Sequence, residues 1–258
     1  MISNDITLEA GVAEYALRLG DDALICAQRL AEWSSRAPDL EDDIALTNIA
    51  LDLLGQARHL LTIAAEREGS GRTEDDLAFL RSEREFRNVR LVEQPNGDFA
   101  STIVRQLLFA TYQQVLYTAL AASDDDDLAA VAAKARKEVS YHRDHAAIWT
   151  VRLGDGTGES RRRMSAALDH LWPFTAELFE TDDLTGQLVD AGVAADPAAL
   201  HASWEPSVAA TLTEATLPVP GLGSRRPTGG RRGIHGEELG HLLAEMQWLH
   251  RAHPGANW

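Results

Sequence analysis

Residues 128–153 read LAAVAAKARKEVSYHRDHAAIWTVRL, and alternating steps of four and three through them select Leu128, Ala132, Ala135, Val139, His142, Ala146, Trp149 and Leu153. All but His142 are apolar, which is the spacing of a helix with one buried stripe. His142 stands in the middle of that stripe, and Val139 lies three residues before it on the same face. In helical bundles that hold two metals, a Glu and a His at this separation act together as ligands. Here the His is present and the Glu is not. That missing carboxylate is the main clue to function.

Working outward, the chain of 258 residues suits one large domain or two small ones, and at 45% hydrophobic it can fill a sizeable core. We read a single helical domain over residues 1–258. Lys and Arg number 24 against 40 Asp and Glu, a net charge of −16. Such a surface argues against a nucleic-acid partner, whose phosphates need cations, and against an anionic membrane face. The simplest use of the excess is solubility. The one cysteine, Cys26, falls on the apolar side of a predicted helix and reads as a small core residue. A disulfide within the chain and a Cys-based metal motif are both excluded. The start of the chain lacks a basic segment followed by an apolar run, and no apolar stretch is long enough for a bilayer. The expectation is a soluble cytoplasmic protein.

The remaining pattern is helical throughout. Residues 1–13 read as a loose arm. A first helix over 14–36 carries the stripe Ala16, Leu19, Ala23, Cys26, Leu30, Trp33, and a second over 39–68, capped by Asp39, carries Leu46, Ile49, Leu53, Gln56, Leu60, Ile63. A shorter helix over 73–88 is anchored by Leu77, Leu80 and Phe86, and 91–97 reads as a loop. Asp98 caps a helix over 98–122 with the stripe Ile103, Leu107, Ala110, Gln114, Tyr117, Ala121. The acidic run Asp124 to Asp127 suits the start of the 128–153 helix, where the dipole favours negative charge. Beyond it come a helix over 159–180 kinked at Pro173, a pair near 183–191 and 197–215, and a last helix over 237–251. Residues 218–233 hold three Pro, five Gly and four Arg without periodicity, and read as an extended, mobile, basic segment. The fold class is all-α, a four-helix bundle of the ferritin-like type with additional peripheral helices.

Bundles of this type often house two irons, which need one Glu on each of two helices and Glu-x-x-His on each of the other two. The four stripes contain no carboxylate. Their polar members are Gln56, Gln114 and His142, with Tyr117 beside them, a set suited to a neutral hydrogen-bonded network. Asp52 and Glu138 sit four residues before Gln56 and His142 and fall beside the stripes, where pairing with Arg58, Lys134 or Lys137 is expected. The one true Glu-x-x-His, Glu238 to His241, has no second copy on a facing helix. His59, His145 and His170 are isolated and read as surface or boundary residues.

Several stretches together carry a family likeness. They are Tyr15-Ala16-Leu17-Arg18-Leu19-Gly20-Asp21-Asp22, Ala50-Leu51-Asp52-Leu53-Leu54-Gly55-Gln56-Ala57-Arg58, Leu91-Val92-Glu93-Gln94-Pro95-Asn96-Gly97-Asp98-Phe99-Ala100, Lys137-Glu138-Val139-Ser140-Tyr141-His142 and Leu171-Trp172-Pro173-Phe174-Thr175-Ala176-Glu177-Leu178-Phe179, with Leu243 to Leu249 and the ending Pro254 to Trp258. The chain resembles the C-subunit family of the bacterial phenylacetyl-CoA epoxidase, also called phenylacetate-CoA oxygenase, over nearly its whole length. The resemblance implies a non-catalytic, cofactor-free structural subunit in aerobic phenylacetate catabolism. Its partner would be a related A subunit that carries the di-iron site. A small B subunit and a flavin/iron–sulfur reductase complete such a system. Carried over helix by helix, the sister subunit's ligands fall on Leu53 and Gln56, on Val139 and His142, and near Ala23 and Ala110. Only His142 survives; a one-step shift at Ala23 would bring in Asp22.

The residues leave two rival functions open. The chain could be a di-iron oxygenase in its own right, recruiting Asp22, Asp52, Glu138 and His142. Alternatively, Arg225, Arg226, Arg231 and Arg232 could meet the phosphates of a CoA thioester. The oligomeric state, including self-association of the chain alone, is also open.

Overall fold

The computed structural model describes residues 7–221 and 226–256. Among these described residues ten α-helices follow in chain order: α1 (Leu8–Ala31), α2 (Leu40–Glu68), α3 (Glu74–Phe79), α4 (Arg90–Glu93), α5 (Phe99–Leu120), α6 (Asp126–Gly154), α7 (Gly158–Leu171), α8 (Asp183–Asp190), α9 (Pro197–Glu214) and α10 (Glu237–Ala252). No strand occurs among the described residues. The four long helices α1, α2, α5 and α6 form the bundle. α1 pairs with α2, α5 with α6, and α2 meets α6 across the middle, while α7 and α9 cover α5 and α10 packs on α3. One connected set of buried apolar side chains runs from Val12 to Leu243.

Local chemistry sets the helix ends. Asp39, Asp98 and Asp125 each accept a backbone N–H from the first turn, at 2.9, 3.0 and 3.0 Å. Gly69 ends α2 in the left-handed conformation at φ 67°, which glycine adopts without a Cβ penalty. The acidic run before α6 serves as cap and first turn, and Asp125 and Asp127 also bind Arg67 at 2.9 and 2.8 Å.

Several boundaries differ from the sequence reading. The first helix begins at Leu8 rather than residue 14, because Thr7 caps it, and ends at Ala31. Residues 1–6 of the expected arm lie outside the described residues. The helix expected over 73–88 is only α3; a single 3-10 turn at Glu83–Glu85 follows, and Leu80 is exposed rather than an anchor. The loop expected over 91–97 opens with the buried turn α4. Pro173 does not kink a continuous helix. α7 stops at Leu171, and Trp172–Phe179 continue as 3-10 helix with Pro in its first turn.

The largest correction concerns 218–233. Arg225 lies outside the described residues and Arg226 is exposed, but Arg231 enters the protein and pairs with Asp22 of α1 at 2.7 Å. It also donates to the carbonyls of Arg18 and Arg87 at 3.0 and 2.8 Å. The interior is therefore not free of carboxylates. Asp21, Asp22, Glu93 and Glu177 are all buried, and each holds an irregular segment in place. Asp21 binds Arg81 and accepts the Arg87 N–H at 2.7 Å. Asp22 accepts the Val89 N–H at 2.7 Å as well as Arg231. Glu177 accepts the N–H groups of Arg90, Gly229 and Gly230 at 2.6, 2.7 and 2.6 Å. Glu93 accepts the Gly236 N–H at 2.8 Å and meets Nδ1 of His235 at 2.7 Å. Both His235 nitrogens face acceptors, the second being the Phe86 carbonyl at 3.0 Å, an arrangement that favours the doubly protonated ring. Burial alone would lower its pKa; the hydrogen bond and charge of Glu93 outweigh burial and raise it.

Burial pushes the Asp22 carboxyl up to about 6, against the opposing pull of Arg231. Removing one partner leaves the other charge buried and unmatched. Asp22→Ala should therefore cost about 3–5 kcal/mol in urea unfolding. At Gly230 an added Cβ would lie 2.1 Å from the Asn88 carbonyl oxygen, so Gly230→Ala should cost about 1–3 kcal/mol in the same measurement.

Candidate functional site

The fold brings the stripe residues together in the middle of the bundle. Ala23, Leu53, Gln56, Ala110, Val139 and His142 are each almost completely buried, on the four bundle helices. Four of these six side chains have no atom that can ligate a metal.

Polar contacts cross between the antiparallel helices α2 and α6 at three levels. At the first, Asp42 accepts from Trp149 Nε1 at 2.7 Å and meets His145 Nε2 at 3.2 Å. At the second, His142 Nε2 meets Asp52 Oδ2 at 3.0 Å. At the third, Gln56 Nε2 donates to Glu138 Oε2 at 3.0 Å, while its Oε1 accepts from Gln113 of α5 at 3.4 Å. Asp52 and Glu138 therefore do not pair with Arg58, Lys134 or Lys137 as expected. Four residues is still one helical turn, so both carboxylates reach inward to the polar members of the facing stripe. On α5 the buried amide that joins these contacts is Gln113, one step from the expected Gln114, which is half-buried; Gln106, also buried on α5, accepts from Cys26 instead. His145 is half-buried and bonded, while His59, His170 and His241 are exposed.

The hydrogen bonds define the His142 tautomer. An ionised Asp52 only accepts, so Nε2 carries the proton. The buried Nδ1 is a bare acceptor without a donor. Burial holds the imidazole pKa below its ordinary 6.5, with the Asp52 hydrogen bond and charge opposing it. A neutral His, two amides and two carboxylates already bonded to them do not fit a pair of oxidised irons. Those irons would need carboxylates from every helix. Among the described residues no group of three or more His, Cys, Asp or Glu is placed to hold a metal. Asp22, which a one-step shift would have supplied, is taken by Arg231 and the Val89 N–H.

Arg231 and Arg232 line a cleft of about 300 Å³ with Tyr15, Arg18, Tyr112 and Asp182. Arg18 is bound to Asp182 at 2.7 Å and Arg231 to Asp22. The proposed basic patch for CoA phosphates thus loses Arg231 to the interior.

Residues 4–258 match the family described as phenylacetic acid catabolic protein. The chain belongs to the phenylacetic acid catabolic protein family. It is 52% identical over 244 residues to the C subunit of the 1,2-phenylacetyl-CoA epoxidase of Escherichia coli (strain K12), covering 95% of this chain and 98% of that one. It also resembles a solved structure, the protein 19 with aldehyde deformylating oxidase activity from Synechococcus. The TM-score is 0.60 at 17% identity, over 81% of this chain and 93% of that one, a likeness of fold alone. The fold is thus a ferritin-like bundle with peripheral helices.

For this family member, the sequence reading missed the buried carboxylates Asp21, Glu93 and Glu177, and it named Asp22 only as a possible metal ligand and not as the partner of Arg231. The signal available was two adjacent acids inside the apolar stretch of α1, which need cations from elsewhere.

Neutral His142 is the stable folded form, so its contribution to stability is present above pH 6.5. It is lost as pH falls through the lowered folded value. His235, with its raised pKa, has the opposite sign. Its contribution is present below 6.5 and lost as pH rises through the folded value. Urea unfolding of wild type and His142→Gln between pH 5 and 8 separates the two. The difference between them should narrow toward acid pH. Asp52→Ala, which leaves both His142 nitrogens unpaired, should cost about 1–3 kcal/mol at pH 7.

Proposed function

We propose that this chain is the structural C subunit of a 1,2-phenylacetyl-CoA epoxidase in aerobic phenylacetate catabolism. It acts as a single cytoplasmic domain and carries neither a metal nor a catalytic residue of its own. The di-iron chemistry belongs to a catalytic A subunit with which it pairs. The B subunit and the reductase belong to the same assembly. The family match and the 52% identity to the C subunit of the Escherichia coli epoxidase support the assignment to this multicomponent monooxygenase.

The observation that carries the non-catalytic reading is the donor set. At Ala23, Leu53, Gln56, Ala110, Val139 and His142 only one histidine and one amide remain. The nearby carboxylates Asp52 and Glu138 serve as hydrogen-bond partners to those two. A bundle that kept its two irons would need those oxygens for the metal.

Purified alone and loaded anaerobically with Fe(II), the chain should retain well under one iron per protein and should not turn over phenylacetyl-CoA. Stoichiometric iron, or its loss on Glu138→Ala, would assign the di-iron role to this chain. A binding role toward CoA thioesters is the alternative. It predicts that replacing Arg226 and Arg232 with Ala weakens CoA affinity of the assembled complex, whereas the structural reading predicts no change.

A further inference from the structure

The outer side of α2 carries a second apolar row that the bundle does not use. Leu40, Ile44, Thr47, Leu51 and Leu54 follow steps of four, three, four and three. At 100° per residue they fall within about 80° of one another round the helix, opposite the buried stripe. On the neighbouring α6, Tyr141 and Ile148 point outward in the same way. Leu40, Ile44, Leu51, Leu54, Tyr141 and Ile148 are 44–69% exposed. Together they leave on the order of 600 Å² of apolar residue surface in water, the upper end for a monomer and close to one side of a standard interface. A four-three row on a helix surface is the pattern that receives another helix.

The face is also grooved and polar at its rim. Between the start of α2 and the end of α6 lies an open groove of about 550 Å³, lined by Ala45, Tyr141, Ile148 and Trp149. Asp42 and His145 line it too, and Asp42 Oδ2 and His145 Nδ1 are buried without a hydrogen-bond partner. Its border carries Asp39, Glu41 and Asp144 against one cation, Arg152. A second copy would bring two chains of net charge −16 together. The face instead suits a helix whose apolar ridge is bordered by Lys or Arg.

Resting on the structural-subunit reading above, we propose that the outward faces of α2 and α6 are the surface that docks the catalytic subunit. A helix of that subunit lies along the Leu40–Leu54 row. A side chain from it fills the groove and satisfies Asp42.

The test is affinity of the full-length chain for the purified catalytic subunit, with circular dichroism and thermal melting to check folding. Ile44→Arg combined with Leu51→Arg should melt as wild type and lose at least about 100-fold in affinity. Unchanged affinity in that variant overturns the assignment of this face while leaving the subunit reading intact. So does loss of affinity in Trp248→Arg, at an exposed position of α10, with none in the double variant. Wild-type chain that fails to bind the catalytic subunit at all overturns the subunit reading and the occupant with it. A self-dimer of wild type that the double variant dissociates, with the mixed complex preserved, assigns the face to a second copy and overturns the proposal. If the double variant does not fold, hydrogen exchange of the wild-type complex decides. Protection of residues 40–54 and 141–152 on binding supports the face, and its absence overturns it.

Discussion

A carboxylate removed from water must be met by a cation or by N–H groups, and this constraint shapes the whole molecule. Asp22 sits on α1, in the middle of the bundle, and its partner Arg231 comes from 209 residues further along the chain. Asp21, Glu93 and Glu177 act in the same way on the segments around 81–90 and 229–236. These four acids do what apolar packing cannot do for irregular backbone. They satisfy its N–H groups and fix its path over the regular helices. The long helices would form a bundle on hydrophobic grounds alone, but the peripheral shell depends on these buried carboxylates and the cations and N–H groups that meet them.

The same constraint governs the centre of the bundle. A pair of oxidised irons and a set of internal hydrogen bonds compete for the same oxygens. Here the protein groups have taken them. Asp52 orients His142, Glu138 accepts from Gln56, and Gln113 completes the chain of contacts. Leu53 and Val139, where the resemblance would put the sister subunit's acids, are buried hydrocarbon that packs into the core of the bundle. On the proposed reading, the bundle has the ferritin-like shape without a metal centre of its own, which suits a chain that supports another subunit.

Much of this was legible in the residues. The stripes of α2 and α6 placed Gln56 and His142 in the interior, and the absence of a Glu at 53 and 139 needs no coordinates. The cap residues Asp39 and Asp98, and the acidic run Asp124 to Asp127, marked three helix starts within one or two positions. Legibility failed where structure depends on contacts distant in sequence. Arg231 lies among Gly and Pro residues that read as a mobile stretch of chain, and only the position of Asp22 in the fold shows that it is buried. Asp52 and Glu138 failed for a subtler reason. A helical wheel separates them from the stripe, yet side chains of that length reach round to it once a facing polar partner is near. The outward row on α2, Leu40 to Leu54, is also present as spacing, but spacing alone does not say whether a row faces protein or water.

The central claim is that iron resides in one kind of subunit of the assembled epoxidase and not in this chain. Anomalous diffraction at the iron edge from crystals of the complex tests it most directly, since it locates metal without reference to activity. The account predicts a pair of peaks inside the catalytic subunit's bundle and none between α2 and α6 of this chain. A pair of peaks flanked by His142, Asp52 and Glu138 would contradict it.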